Sequence, residues 1–552
     1  MTEESQQNST KPKHEVFTIS FSSTSLPPDP VDVNIEAEQS SDFEAAVEAT
    51  GYGLFNYLIL LAILPGICAN VFDTTTISYL LPSAECDLQL TLNQKGMLNA
   101  VIYTGMLCSG FFWGFLADTK GRRSLLIFGY LADAICNILS SMSQNFYMML
   151  CLKFLCGVVI SGPLAITMTY LAEFHSTKYR SATLYWTAVF SAAGNVILPA
   201  LAWLIIPQNW SVTLFNGTFV YNSWRIFVLV CSLPALTAFL GLLHFPESPK
   251  YLMSQGKNER ALKIFQKMYA MNTGNPPEMF PIKSLSQDGN KKQVDPSRVK
   301  PEVSFWKKTR EGWNQVKPLF VKPYLGQFLL ITILQFGSIL SLNTIRLWMP
   351  QLFTLIETYD FESHDPSRGA VTLCDMISVR SVANVTLVTG LNATMTETCV
   401  IPPVPVKVYT NSMIISSSTV LGFLLAGTVV NLIGKKNLLL ATFAIPAACT
   451  IALNWSPDST TTLGILAIYI TLTSISTTTI VTYMVDLMPT SLRTIAVSLA
   501  MSIGRSGPMI GNVLFPILLS ASCIGPFVFV GAFLISGFIL TLFIPTPPTK
   551  LL

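Results

Sequence analysis

Twelve mostly apolar stretches of roughly 20 residues divide this chain, at about 55–80, 95–116, 124–143, 147–171, 183–206, 225–245, 325–349, 411–432, 437–455, 461–484, 495–519 and 524–545. Runs of that length cross the hydrocarbon core of a bilayer as α-helices, because each backbone amide in lipid must find its partner within its own segment. The pattern therefore predicts twelve transmembrane helices. No short cleavable signal precedes residue 55, so the first span is expected to act as its own insertion signal.

Polar residues interrupt this pattern twice in the same way. Gly114, Asp118, Gly121, Arg122 and Arg123 reappear 313 positions later as Gly427, Asn431, Gly434, Lys435 and Lys436. Tyr170, Glu173 and Arg180 reappear at the same offset as Tyr483, Asp486 and Arg493. Two clusters that keep residue type, spacing and register point to a duplicated six-helix unit, an internal symmetry typical of secondary carriers.

Composition agrees: 51% of residues are hydrophobic and 12% charged. A soluble chain carries about twice that share of charge. The net charge of +3 is unevenly placed, with 26 of the 34 Lys+Arg in segments that are cytoplasmic if the amino terminus is. Fifteen of these lie in 250–323, a loop too long to influence orientation, but the short loops agree. The acceptors Asn209, Asn216, Asn384 and Asn392, and the membrane-hugging Asn454, all fall on the other side.

The predicted organisation follows. Residues 1–53 form a cytoplasmic, mostly disordered amino-terminal segment, and 54–249 form the first bundle. Residues 250–323 link the bundles. Within them, 258–271 has helical amphipathic spacing, suited to the membrane surface or to a solvated connector. Residues 324–545 form the second bundle, with a far-side loop at 354–410, and 546–552 a cytoplasmic tail. Most of the 11 cysteines lie inside spans as small packing residues. Cys374 and Cys399 bracket the sequons of the far-side loop and are expected to form a disulfide, with Cys86 as a competitor.

Gly114-Phe-Leu-Ala-Asp118-Thr-Lys-Gly121-Arg122-Arg123 joins the second and third spans. Its glycines suit a tight turn and close helix approach, and Asp118 sits where a helix end meets basic residues. The element resembles the signature loop of the major facilitator superfamily. That resemblance implies an all-α membrane fold of twelve helices in two pseudo-symmetric six-helix bundles. In sugar-porter-like members, acids and arginines placed like Glu173, Arg180, Asp486 and Arg493 pair and hold the cytoplasmic ends of the bundles together. The resemblance therefore implies a gate built from these four and the signature residues of both halves; the alternative is anchoring in headgroups.

Leu155-Cys-Gly157 after Lys153, and Pro246-Glu247-Ser248-Pro249-Lys250-Tyr251-Leu252 closing the sixth span, are similar to sugar and organic-ion porters. The acidic lead-in from Asp42 to Gly53, Leu80-Leu-Pro-Ser-Ala-Glu-Cys86, and Ser223-Trp-Arg-Ile-Phe-Val-Leu-Val-Cys231 resemble the synaptic vesicle glycoprotein 2 group and its related-protein branch. The likeness covers residues 42 to about 540 and is stronger in the first half. The chain also departs from that group. The acidic pair of the first span is here Asn70 and Asp73, and the second signature has Asn431 in place of Asp.

Ionisable residues inside spans mark function. Asp73, Arg505, Asn70 and Lys153 form the candidate substrate or coupling set. Asp73 suits proton coupling, substrate contact or a structural pair. The Gly-rich setting of Arg505 is similar to organic-ion porters and implies an anionic or zwitterionic solute; alternatively Arg505 is a counter-ion for Asp73 or Asp133. Pro65 and Gly66 are expected to loosen the first span. Lys153 and Arg346 are expected to reach outward to the interface. No catalytic constellation, P-loop, metal spacing or nucleic-acid feature is visible, and no cofactor is expected. The reading is a monomeric carrier in the lipid bilayer of the plasma membrane or a vesicle, with both termini cytoplasmic. It moves a small organic ion or sugar-like solute on the solute's own gradient or with a proton or sodium ion. The alternative is a non-transporting protein of the same fold that serves as a binding partner.

Overall fold

The computed structural model describes residues 40–214, 219–285, 316–359, 371–378, 385–389, 395–399 and 404–544. The expected disorder of the amino terminus, the tail 546–552, and the acceptors Asn216, Asn384 and Asn392 lie outside these residues. Asn209 is described and exposed.

The first six spans are the helices Leu54–Ala84, Leu92–Lys120, Arg122–Ser141, Phe146–Glu173, Thr177–Ile205 and the pair Ser223–Val230 and Leu233–Leu242. Tyr324–Glu357 is span 7. Val406–Ala452 runs through spans 8 and 9, with a non-helical break at Gly434. Ser459–Leu487 is span 10, and Gly525–Leu542 is span 12. Span 11 is split into Thr490–Gly504 and Ser506–Ala521 at Arg505. Among the described residues, ten helical segments are long and apolar enough to cross a membrane. The other two are span 11, whose halves are each too short alone, and span 2, Leu92–Lys120, several of whose side chains lie outside the described residues.

The duplication read in the sequence has a structural counterpart. Gly121 and Gly434 both turn the chain with positive φ, 90° and 79°. Side chains disfavour that region, whereas glycine adopts it freely. Each turn delivers a cation to an acid at the end of a later helix: Arg122 pairs with Glu173, and Lys435 with Asp486. The next cation then caps the last helix of its half. Arg123 Nη2 donates to the Leu243 carbonyl at 2.8 Å, and Lys436 Nζ donates to Ile544 O at 2.8 Å. Basic groups at carboxyl ends satisfy orphan carbonyls and oppose the helix dipole.

We call the end of the bundle that bears these turns the signature face. At the opposite, far face the halves share one hydrophobic cluster. First-half residues from Val71 to Tyr79, Leu198 to Ile206, Phe227 and Cys231 pack there with spans 7 to 12. A Cβ on Gly96 would stand 2.6 Å from Asn512 O, so spans 2 and 11 are in close contact there. Nearer the signature face, the first half closes a separate cluster on itself, joined from the second half by Leu347 and Met509.

The helix Asn258–Thr273 forms as expected, but its apolar face is covered by protein rather than by lipid. Ala261, Phe265 and Met268 are buried, and the Phe265 ring lies 6.1 Å from that of Phe43 in the short helix Phe43–Ala49. The physical reason lies in Asn272. Its Nδ2 donates to Thr50 O at 3.2 Å and Asn56 Oδ1 at 2.9 Å, while its Oδ1 accepts from Phe55 N at 3.0 Å. This side chain ties the helix to the start of span 1. Asn272→Ala is expected to lower stability by about 1–3 kcal/mol, because it strips partners from several polar groups. An unchanged melting midpoint of the purified protein would show that the clamp is not needed.

On the far face, the structure corrects the expected disulfide. Cys374 is bonded to Cys523, with a Cα–Cα distance of 5.7 Å, and not to Cys399. The helix Leu373–Ser378 packs against the end of span 9 and brings Cys374 to the joint between spans 11 and 12. Cys86 is also in a disulfide.

Candidate functional site

Spans 1, 3 and 4 enclose a buried polar group built from the first half alone. Asn137 Nδ2 donates to Asp73 Oδ1 at 2.8 Å and to Asp133 Oδ1 at 3.2 Å. Lys153 Nζ donates to Asn137 Oδ1 at 2.7 Å. The four side chains are 0–2% exposed. The Oδ2 atoms of Asp73 and Asp133 find no hydrogen-bond partner. Lys153 therefore points into the bundle, not outward to the interface as its place in span 4 suggested. Its inward course is set by the Asn137 carbonyl, a polar acceptor in an otherwise apolar interior.

A second polar layer lies where the halves meet. Arg346 of span 7 donates through Nη2 to Thr75 Oγ1 of span 1 at 3.2 Å, and it also bonds Asn195 Oδ1 of span 5. Arg346 thus bridges the two halves and does not reach outward. One turn earlier, Asn343 Oδ1 accepts from the Tyr103 hydroxyl of span 2 at 3.2 Å. Tyr103 is itself buried. Trp348 is buried and stacks on Phe515 at 4.6 Å, behind this layer, whereas Trp186 is exposed.

Span 11 reaches the layer because its face toward span 7 is small. A Cβ at Gly507 would stand 2.9 Å from Phe336 O, so only glycine permits this approach. Arg505 is half-buried at the break between the two helices. The structure does not bring it to Asp73 or Asp133, both of which are turned toward Asn137. Asn70 is half-buried, and its Nδ2 has no partner. Span 1 runs unbroken through Pro65 and Gly66, the latter packed against Tyr130, so the expected loosening is absent.

The expected gate residues group differently from their spacing. Glu173 and Arg180 do not pair. Glu173 takes Arg122 and accepts from Ser248 Oγ at 2.5 Å, while Arg180 meets Glu44 at 3.1 Å. Asp486 takes Lys435, and Arg493 Nε is buried without a partner. The ion pairs formed by Glu173 and Asp486 stay within one half, because each signature turn lies beside its own half's acid. Beyond span 4, burial holds the His175 imidazole below its ordinary value, and its Nδ1 meets Leu171 O at 2.7 Å. Among the described residues, a Cβ at Gly114 or Gly427 would meet nothing within 4 Å. The side chains of Asp118 and Asn431 lie outside the described residues. Among the described residues, no group of three or more His, Cys, Asp or Glu is arranged to hold a metal ion.

The pattern of the family described as "Sugar (and other) transporter" matches residues 58–354. Synaptic vesicle glycoprotein 2B of Rattus norvegicus is 28% identical over 342 residues, which cover 59% of this chain and 50% of that protein. Synaptic vesicle glycoprotein 2A of Homo sapiens is 28% identical over 337 residues, covering 59% and 45%. The chain thus spans about half the length of the curated relatives it matches. Among solved structures, the partially occluded inward open conformation of the xylose transporter XylE from E. coli superposes with a TM-score of 0.60 at 14% identity, over 89% of this chain and 100% of that one. Its inward open conformation gives 0.60 at 15% identity, over 90% and 98%. At such identities the likeness shows the fold, an all-α membrane architecture of two six-helix bundles.

Proposed function

The chain belongs to the sugar (and other) transporter family, and from that premise we propose that it carries a small organic solute across a membrane by alternating access. The observation that carries this reading is the polar layer between the halves. Arg346 reaches Thr75 and Asn195 across the joint, and Tyr103 reaches Asn343. The halves meet around it through a shared core at the far face. Two rigid units hinged about a polar midpoint are what such a cycle requires.

In this reading the signature face is cytoplasmic, and the intra-half pairs of Arg122 with Glu173 and Lys435 with Asp486 stiffen each half as it rocks. With Gly114, Asp118, Gly121, Arg123, Arg180, Gly427, Asn431, Gly434, Lys436 and Arg493 they make up the gate. Asp73 is the coupling carboxylate: a proton entering from solution binds its unpartnered Oδ2, neutralises the group and weakens its hold on Asn137 and, through Asn137, on Lys153. Asn70, beside it on span 1, lines the route. The test is uptake into proteoliposomes of labelled organic anions, organic cations, sugars and nucleosides, with and without an inward proton gradient. Saturable flux that the gradient accelerates, and that Asp73→Asn uncouples, is the expected result. Absence of flux for every class would favour a binding partner of the same fold.

A further inference from the structure

We propose that Asp73 of span 1 and Asp133 of span 3 work as one pair that shares a single proton at rest, which makes Asp133 a second coupling residue. This deepens the carrier reading and rests on it for the coupling role. Charge comes first. Two carboxyl groups and one ammonium stand together in the polar group of the first half, all of them 0–2% exposed. Lys153 reaches both acids through Asn137 and forms no direct ion pair among the described residues. Around the pair stand the Tyr130 phenol and the thiols of Cys136, Cys156 and Cys231, none of which can bring a positive charge. With both acids ionised, the group would keep one uncompensated negative charge inside the bundle, which is costly. One proton on the pair closes the balance against Lys153.

Geometry says where that proton sits. Asn137 Nδ2 donates to Asp73 Oδ1 at 2.8 Å and to Asp133 Oδ1 at 3.2 Å, so one amide nitrogen holds the two acids side by side. Their side chains also meet within hydrogen-bonding reach of each other. The Oδ2 atoms are the ones left over, buried and without a donor. An ionised carboxylate only accepts, so two of them in contact repel, whereas a protonated one has an O–H to give. A proton carried on Asp133 Oδ2 and accepted by Asp73 Oδ2 supplies both orphaned atoms and turns repulsion into a charge-assisted bond. In the carrier cycle the proton that arrives from solution is then the second on the pair. It binds Asp73, takes the pair from one negative charge to none, and leaves Lys153 without a counter-charge.

The test reads the pair directly, in the full-length protein in lipid nanodiscs with isotope-labelled aspartate. At neutral pH, infrared spectroscopy is expected to show the C=O stretch of a protonated aspartic acid, and to lose it in both Asp73→Asn and Asp133→Asn. Either substitution leaves a single carboxyl, which ionises against Lys153. A wild type without the band, or a band that survives in either variant, overturns the proposal. Should the Asn variants fail to fold, Asp133→Glu decides. Its longer side chain keeps a carboxyl on span 3 and should shift the band; an unmoved band overturns the proposal. In proteoliposomes, Asp133→Asn is expected to lose the acceleration of flux by an inward proton gradient. Its amide donates to Asp73 permanently and keeps that carboxyl ionised. Acceleration equal to that of the wild type would overturn the proposal as well. No flux by the wild type would remove the carrier reading, and the infrared band alone would then decide whether the two acids share a proton.

Discussion

Replacing Lys153 with Met is expected to lower stability by about 3–5 kcal/mol, the usual result of removing one partner from a buried ionic group, and to abolish flux. Lys153 is fully buried and reaches the two carboxylates through one intermediary, Asn137. Without the ammonium, the Asn137 carbonyl loses its donor, and Asp73 and Asp133 are left in an apolar bundle with no positive charge hydrogen-bonded to their group. Each already has one oxygen without a partner, so the site has no slack to absorb the loss. Because the groups act together, the effect should not be additive. Asp133→Asn in the Lys153→Met background should recover a large part of the lost stability by removing one stranded carboxyl. Thermal unfolding of the single and double variants in nanodiscs checks this. If Lys153→Met melts like the wild type, the carboxyls are held neutral and the ionic account of the cluster is wrong.

Much of this fold was legible because duplication writes the same chemistry twice. The 313-residue offset links Gly121 to Gly434 and Glu173 to Asp486. The structure gives both glycines positive φ and both acids a cation from the preceding turn. Spacing named the acids but not their partners. Arg180 is nearer to Glu173 in sequence than Arg122 is, yet the turn at Gly121 lays Arg122 on the end of span 4 while Arg180 is drawn to Glu44. Pairing is a property of how helices meet, which a one-dimensional pattern does not record.

The same limit explains Lys153 and Arg346. Spans 4 and 7 are apolar nearly all round, so no polar stripe tells which face looks inward. A long cation on such a helix can point inward or out to the headgroups, and only the neighbouring helices decide. Asn137 turns Lys153 inward, and Asn195 with Thr75 turns Arg346 inward. The disulfide was hidden for a related reason. Cys86, Cys374, Cys399 and Cys523 share one side of the predicted topology, and four cysteines allow three pairings. The packing of Leu373–Ser378 against the second bundle selects Cys523 for Cys374.

Gly114→Leu is expected to leave the fold intact and to reduce flux by about a hundredfold, the effect of blocking a step by roughly 2.7 kcal/mol. Among the described residues, a Cβ at Gly114 meets nothing within 4 Å. A glycine whose Cβ position is open among the described residues, near the signature face, is expected to have its use in another arrangement of the halves. Small residues allow membrane helices to approach closely, so the open space beside Gly114 is where the signature ends meet when the cycle turns over. Leucine is also the better helix former, by roughly 0.5–1 kcal/mol, so the melting midpoint should hold or rise. The block should fall on closure alone: Gly114→Leu should keep solute binding from the signature face and lose transport. Hydrogen exchange near that face should remain as fast as in the resting protein when solute is added, whereas the wild type slows. A Gly114→Leu protein that transports at the wild-type rate would place this face of span 2 toward lipid, and closure would have to be sought at Gly427 and span 8 instead.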